Sequence, residues 1–152
     1  MEVTIRKASF QDHNDIALFQ EKMALETEHI RLDPLVVKEG VKAVIADFAK
    51  GCYYVAENDG EIVGCLLTTF EWSDWRNGKI IWIQSLYVLP EFRNKGIFKQ
   101  LYDHVKQLVE NDPNLKAIRL YVDKTNMTAI NVYRKCGMNG EHYQLFEWQK
   151  GT

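Results

Sequence analysis

The 152-residue chain is 46% hydrophobic and 26% charged, with a formal net charge of −2, the balance of a globular protein with its own core and no overall attraction to nucleic acid. No apolar run approaches the roughly 20 residues that span a bilayer, and the opening MEVTIRKASF lacks the apolar centre of a secretion signal, so a cytoplasmic protein with no membrane or nucleic-acid partner is expected. Cys52, Cys65 and Cys136 are odd in number, widely spaced and without neighbouring His pairs, which predicts small buried residues rather than disulfides or metal ligands.

Hydrophobic patterning runs unbroken from Val3 to Trp148 with no repeat, low-complexity tract or linker, which predicts one domain over residues 1–152. Val3-Thr4-Ile5-Arg6 alternates like a half-buried strand. Ser9 or Asp12 can open a helix with Ile16, Phe19 and Met23 on its apolar side. Pro34 suits the first turn of a second helix carrying Val37, Val41, Val44, Ile45 and Phe48, with Gly51 as its stop. Cys52–Glu57 and Glu61–Phe70 are β-rich runs around Asn58-Asp59-Gly60 and predict an antiparallel hairpin. Trp72 to Gly78 then turns into Ile80–Val88, apolar on both faces and therefore central in a sheet. Ile97, Leu101, Val105 and Leu108 form the stripe of a helix ending near Asn111-Asp112-Pro113. A strand over Ala117–Val122, a helix from Asn126 and a last strand or strand pair over Met138–Trp148 complete a mixed α/β chain.

The junction Ile80 to Phe98 joins the apolar strand to a basic, glycine-bearing turn that opens a helix. Helix starts offer backbone N–H groups at the positive end of the dipole, a place for an anion, and Gly96 lets a ligand approach closely. Further on, Asn126 to Met138 reads as a short helix with Tyr133 near its end and a glycine stop at Gly137.

These two segments resemble the signatures of the GCN5-related N-acetyltransferases, the GNAT family. The family's coenzyme A signature, [Arg/Gln]-x-x-Gly-x-[Gly/Ala] after a strand ending Leu-x-Val-x-Pro, is similar to Leu86-Tyr87-Val88-Leu89-Pro90 followed by Arg93-Asn94-Lys95-Gly96-Ile97-Phe98. Phe98 departs from it: the family has a small residue there, so the ring has to turn away from the ligand. The second signature is met by Asn126, Ala129, Tyr133, Gly137 and Met138. The resemblance covers nearly the whole chain and implies the GNAT fold, a mostly antiparallel mixed sheet flanked by helices and splayed at its central strands.

The same resemblance implies acetyl-CoA as cosubstrate, no metal, and direct attack by a primary amine on the thioester in a ternary complex. Main-chain groups of Leu86, Tyr87 and Val88 would hold the pantetheine arm. The N–H groups from Arg93 through Asn94, Lys95, Gly96, Ile97 and Phe98 to Lys99 would hold the pyrophosphate, helped by the charges of Arg93, Lys95 and Lys99. Tyr133 takes the role of general acid, since a phenol is still protonated at neutral pH, and Asn126 caps its helix and reaches the coenzyme. Strand Ile80–Val88 contains no Asp, Glu or His, only Gln84 and Ser85 as polar residues. The base is therefore sought at Glu71, with Glu26, Glu28, His29 and Asp74 as further candidates around the acceptor. An acidic pocket of this kind suits a cationic amine, with Trp72, Trp75 and Trp82 to shelter it and Gln84 alongside. A small-molecule amine is the expected acceptor; the alternatives are a protein or peptide amine, or an acyl-CoA-binding module without turnover. A homodimer through the C-terminal strands is a family expectation.

Overall fold

Alternating and β-branched runs build a five-stranded sheet of order β1-β2-β3-β4-β5 in a computed structural model that describes residues 1–151. The chain forms β1 (Val3–Lys7), α1 (His13–Glu28), α2 (Pro34–Ala46), β2 (Cys52–Asn58), β3 (Glu61–Ser73), β4 (Gly78–Val88), α3 (Ile97–Asn111), β5 (Leu115–Leu120) and α4 (Met127–Lys135). Neighbouring strands are antiparallel except β4 and β5, which are parallel. A parallel pair needs a crossover, and α3 supplies it. The residues fall into two compact units, Met1–Leu120 and Tyr121–Thr152, each described by itself below.

Local chemistry accounts for the joints of the first unit. Asp59 and Gly60 both have positive φ, 50° and 78°, the requirement of a two-residue hairpin turn that matches strand twist, and Asn58 pairs directly with Glu61. Pro34 opens α2, with the Asp33 side chain accepting from the Leu35 N–H at 2.9 Å. That helix stops at Ala46 rather than Gly51, and Phe48 lies past its end with its ring against Phe70. Strands β3 and β4 extend to Ser73 and Gly78, which shortens the expected Trp72–Gly78 turn to the residues between them. Strand β5 starts at Leu115, two residues before the expected Ala117, because its register is set by pairing Leu115 with Lys79.

On β3, successive side chains face opposite ways. Gly64 lies against Ile97 of α3, whereas Cys65 contacts Gln20 of α1. Helix α1 thus covers one face and α3 the other, and Ile16, Leu66, Ile80, Ile97, Leu101 and Val105 are fully buried between them. Leu67 pairs with Ser85 and Thr68 with Ile83, so Gln84 is the extra residue of a β-bulge in the middle of β4, a device that bends a strand and re-aims its side chains.

Asp12, 5% exposed, pins the first connection. It accepts from Arg6 at 2.8 and 3.0 Å and from the Ser9 N–H at 2.7 Å. Burial alone would raise its pKa, but the Arg6 and Ser9 hydrogen bonds together outweigh it and hold the carboxyl below the usual range. A depressed folded-state pKa contributes stability above the unfolded value of about 3.9, and that contribution is lost as pH falls through the folded value. Asp12→Asn is therefore expected to cost about 1–3 kcal/mol at pH 7. Urea unfolding at pH 7 and below pH 3 checks this: the gap between wild type and variant has to shrink at the lower pH.

In the second unit no strand forms between Met138 and Gly151 among the described residues, which corrects the expected strand or pair over Met138–Trp148. A strand needs a neighbour's N–H and C=O groups, and within its own unit the segment has only α4. Phe146 and Trp148 are 85% and 86% exposed. No helix of the described residues is long and apolar enough to cross a membrane.

Candidate active site

Past the end of β4, Pro90 opens a short 3-10 turn, Pro90–Phe92, and Arg93 is extended. Asn94 (φ 62°) and Gly96 (φ 81°) are then both left-handed, so the main chain coils tightly into α3. Gly96 is the N-cap of α3, no side chain caps the helix, and its first internal bond runs from the Gln100 N–H to the Gly96 carbonyl at 3.0 Å. Helices present their first-turn N–H groups outward, and left-handed residues flanking a turn make an anion-binding concavity. A Cβ built on Gly96 would meet nothing within 4 Å, so the space above this main chain is open to a ligand. These features fit a pyrophosphate.

The nearby charges have partners of their own. Arg93 donates through Nε to the Val88 carbonyl at 2.9 Å and through Nη2 to Glu26 at 2.8 Å, with its guanidinium over the Tyr87 ring. Lys99 pairs with Asp103, and Lys95 lies over the Phe92 ring. Phe98 is half-buried. Backbone rather than side-chain charge is therefore what the cradle most directly offers.

Within the first unit, the strand leading into the cradle has a pairing neighbour on one side only over its last residues. The last β4–β5 pair is Ile83 with Leu120, whereas β4 continues through Gln84, Leu86, Tyr87 and Val88 beside β3 alone. The Gln84 bulge coincides with the parting of the strands. An extended, amide-bearing ligand can pair with such a half-open strand as an added strand would.

The α1 side of β3 and β4 carries a stripe of polar groups. Near its lower end Glu71 accepts from Arg119 at 3.1 and 3.2 Å and from the Trp82 indole N–H at 2.6 Å. Gln84 donates to the Thr69 hydroxyl at 2.9 Å. The Ser85 hydroxyl is buried and has no hydrogen-bond partner among the described residues. At the upper end Glu26, near the close of α1, holds the Tyr87 hydroxyl and Arg93. Glu28 ends α1 and His29 follows it as a left-handed cap.

The expected acceptor residues do not all converge. Trp72 pairs with Lys79 and Tyr87 with Cys65, which separates Trp72 from Tyr87 by about 25 Å of strand at roughly 3.3 Å per residue. Trp72 also faces the α3 side, in a cavity of about 500 Å³ with Tyr54, Phe70, Ile81 and Leu108. Asp74 and Trp75 lie in the turn beyond, Trp75 93% exposed. Glu26, Gln84, Trp82 and Glu71 share one face; Trp72, Asp74 and Trp75 do not join Glu26 there.

In the second unit, α4 is closed at both ends by its own sequence. The Asn126 side chain accepts from the Ala129 N–H at 3.1 Å. At the other end Gly137 (φ 86°) lets the Met138 N–H reach the Tyr133 carbonyl and the Gly137 N–H reach the Arg134 carbonyl, at 3.1 and 3.0 Å, a Schellman closure. Tyr133 is thereby fixed in the last turn of the helix. Burial, with Cys136 adding to it, pushes its phenol pKa above the ordinary value. Burial also pushes the Cys65 thiol up to about 12. Among the described residues no group of His, Cys, Asp and Glu is placed to hold a metal ion.

The sequence model of the Acetyltransferase (GNAT) family matches residues 16–138. The chain belongs to the GNAT family. A solved structure described as a possible acetyltransferase from Clostridium difficile 630 is 40% identical with a TM-score of 0.92, covering 98% of each chain. An uncharacterised N-acetyltransferase of Methanocaldococcus jannaschii is 38% identical over 86 residues, 57% of this chain and 51% of that protein. A Bos taurus thialysine N-epsilon-acetyltransferase is 33% identical over 76 residues, 50% and 44% of the two chains. The chain spans about half the length of these curated relatives. Within this GNAT chain, three features escaped the sequence reading: the Gln84 bulge, the unpartnered Ser85 hydroxyl and the Glu26–Tyr87–Arg93 cluster. The first had a signal, since Gln84-Ser85 interrupts an otherwise apolar strand; the cluster had none, its members lying far apart in the chain.

Proposed function

We propose that this GNAT chain transfers an acetyl group from acetyl-CoA to a primary amine of a small molecule, by direct attack within a ternary complex. The observation that carries the reading is the half-open end of β4 running straight into the left-handed, uncapped start of α3 at Gly96. The coenzyme, when bound, supplies the activated acetyl group. The strand end from Leu86 to Val88 orients its arm, the Gly96 turn holds its phosphates, and Tyr133 donates a hydrogen bond to the departing sulfur. Two of the three cysteines speak for direct transfer, since Cys52 and Cys65 are buried with raised pKa values, the opposite of an activated nucleophile; Cys136, expected to be buried, is only half-buried. A small amine is favoured by the polar stripe beneath α1. The names of the relatives divide, thialysine N-epsilon-acetyltransferase agreeing with a small amine and N-alpha-acetyltransferase of Sulfurisphaera tokodaii naming another class. A homodimer is proposed through the exposed Phe146 and Trp148, to be checked by light scattering.

Glu71 is the carboxylate of the stripe that the sheet itself carries, but its oxygens are committed to Arg119 and Trp82. A general base contributes about 10²–10⁴-fold. Glu71→Gln is expected to lower kcat less than ten-fold, consistent with a positioning part; a loss of 100-fold or more would make it the base.

The deciding experiment is a coenzyme-release screen over polyamines, amino acids, aminoglycosides and peptides. Release with a small amine supports the proposal. Turnover with peptides alone replaces the acceptor class, and tight acetyl-CoA binding without turnover across the panel marks a silent binding module.

A further inference from the structure

Glu26 and Arg93 form an unusual link between the acceptor-side helix and the coenzyme turn. Glu26 Oε1 accepts from the Tyr87 hydroxyl at 2.9 Å and Oε2 from Arg93 Nη2 at 2.8 Å. Arg93 is also fastened to the Val88 carbonyl and lies over the Tyr87 ring. Tyr87 is buried, whereas the ion pair is open to solvent, with side chains 43% and 39% exposed. Burial raises the Glu26 pKa, but its bonds to Arg93 and Tyr87 and the nearby charge of Lys22 outweigh this and keep it lowered. At neutral pH the ionised Glu26 carboxylate therefore lies against the Arg93 guanidinium, three positions before Gly96.

We propose that Glu26 is an internal counter-ion that competes with the coenzyme's pyrophosphate for Arg93. Coenzyme binding moves the guanidinium from α1 to the phosphates and leaves Glu26 held by Tyr87 alone. This rests on the reading of the Gly96 turn as the phosphate cradle. The guanidinium fork matches a phosphate pair bidentately, whereas an exposed ion pair restrains an equilibrium only by up to roughly five-fold, so the phosphates win at a small cost. The Tyr87 phenol, pushed up to about 12 by burial and by Glu26, stays protonated and keeps the carboxylate in place during the exchange. Were Glu26 merely to orient Arg93 for the ligand, its removal would weaken binding. Competition requires the opposite sign.

The test is calorimetric titration of coenzyme A into wild type, Glu26→Gln, Arg93→Gln and the double variant, with Glu26→Ala as a second removal of the charge and thermal melts to establish folding. Glu26→Gln and Glu26→Ala are expected to bind two- to five-fold more tightly than wild type. Arg93→Gln is expected to bind more weakly, and on that background Glu26→Gln has no further effect. Equal or weaker binding by both Glu26 variants overturns the proposal, as does a tightening that persists without Arg93, which would reflect general repulsion of a polyanion. If wild type does not bind coenzyme A at all, the cradle reading falls and this proposal falls with it.

Discussion

Tyr133→Phe is expected to lower kcat by about ten- to a hundred-fold while coenzyme A affinity stays within about three-fold of wild type. The size follows from acidity. An alkyl thiol has a pKa near 8.5, whereas the Tyr133 phenol starts near 10 and is raised further by burial. Complete proton transfer from phenol to thiolate is therefore uphill, and the phenol acts mainly by donating a hydrogen bond to charge developing on sulfur. Such charge-assisted bonds contribute about 1.5–3 kcal/mol, which corresponds to the stated range. The raised pKa also sets the pH dependence: the donor is intact throughout neutral pH, and its loss should depress kcat only at pH above the range in which an ordinary phenol titrates. Steady-state kinetics with the amine found by the release screen, beside calorimetry with coenzyme A, separate the two effects. Unchanged kcat in the variant removes Tyr133 from the mechanism.

What the sequence made legible was local or periodic. The Asp59-Gly60 turn and the stripe Ile97, Leu101, Val105 and Leu108 each depend on residues within a few positions of one another, and the structure has both, with Leu108 half-buried; β4, expected at the sheet centre, is fourth of five strands and is flanked on both sides only as far as Ile83. The α4 helix was legible for the same reason, because Asn126 and Gly137 act on their own turn. Strand limits were less so, since where β3, β4 and β5 begin or end depends on the partner strand's register. The stretch Met138–Trp148 has a strand's composition but finds no ladder in its unit, a reminder that β-propensity describes fitness for a sheet rather than possession of one. At the candidate site, the main-chain cradle was readable from Gly96, and the i,i+4 pair of Lys99 with Asp103 follows from helix spacing, yet the partners of Arg93 and Glu71 were not. Each is bonded to a carboxylate or guanidinium whose proximity only the folded chain establishes, and charge type alone does not say whether a basic residue faces a ligand or a neighbour.

Gly96 is where fold stability and ligand binding separate most cleanly. Its φ of 81° is costly for any residue with a Cβ, by about 1–2 kcal/mol, but a Cβ there would meet no protein atom within 4 Å. Gly96→Ala should therefore fold, with Tm lower by a few degrees. Its methyl group would occupy the open space above the turn, so coenzyme A binding should weaken by ten-fold or more. Gly96→Asp adds a negative charge beside the phosphates and should weaken binding by over 100-fold, with part of the loss recovered at high salt as the repulsion is screened. Methyl crowding alone has no such salt dependence. Thermal melts and calorimetry at two ionic strengths measure both halves; a folded Gly96→Asp protein with wild-type coenzyme affinity would show that the phosphates bind elsewhere.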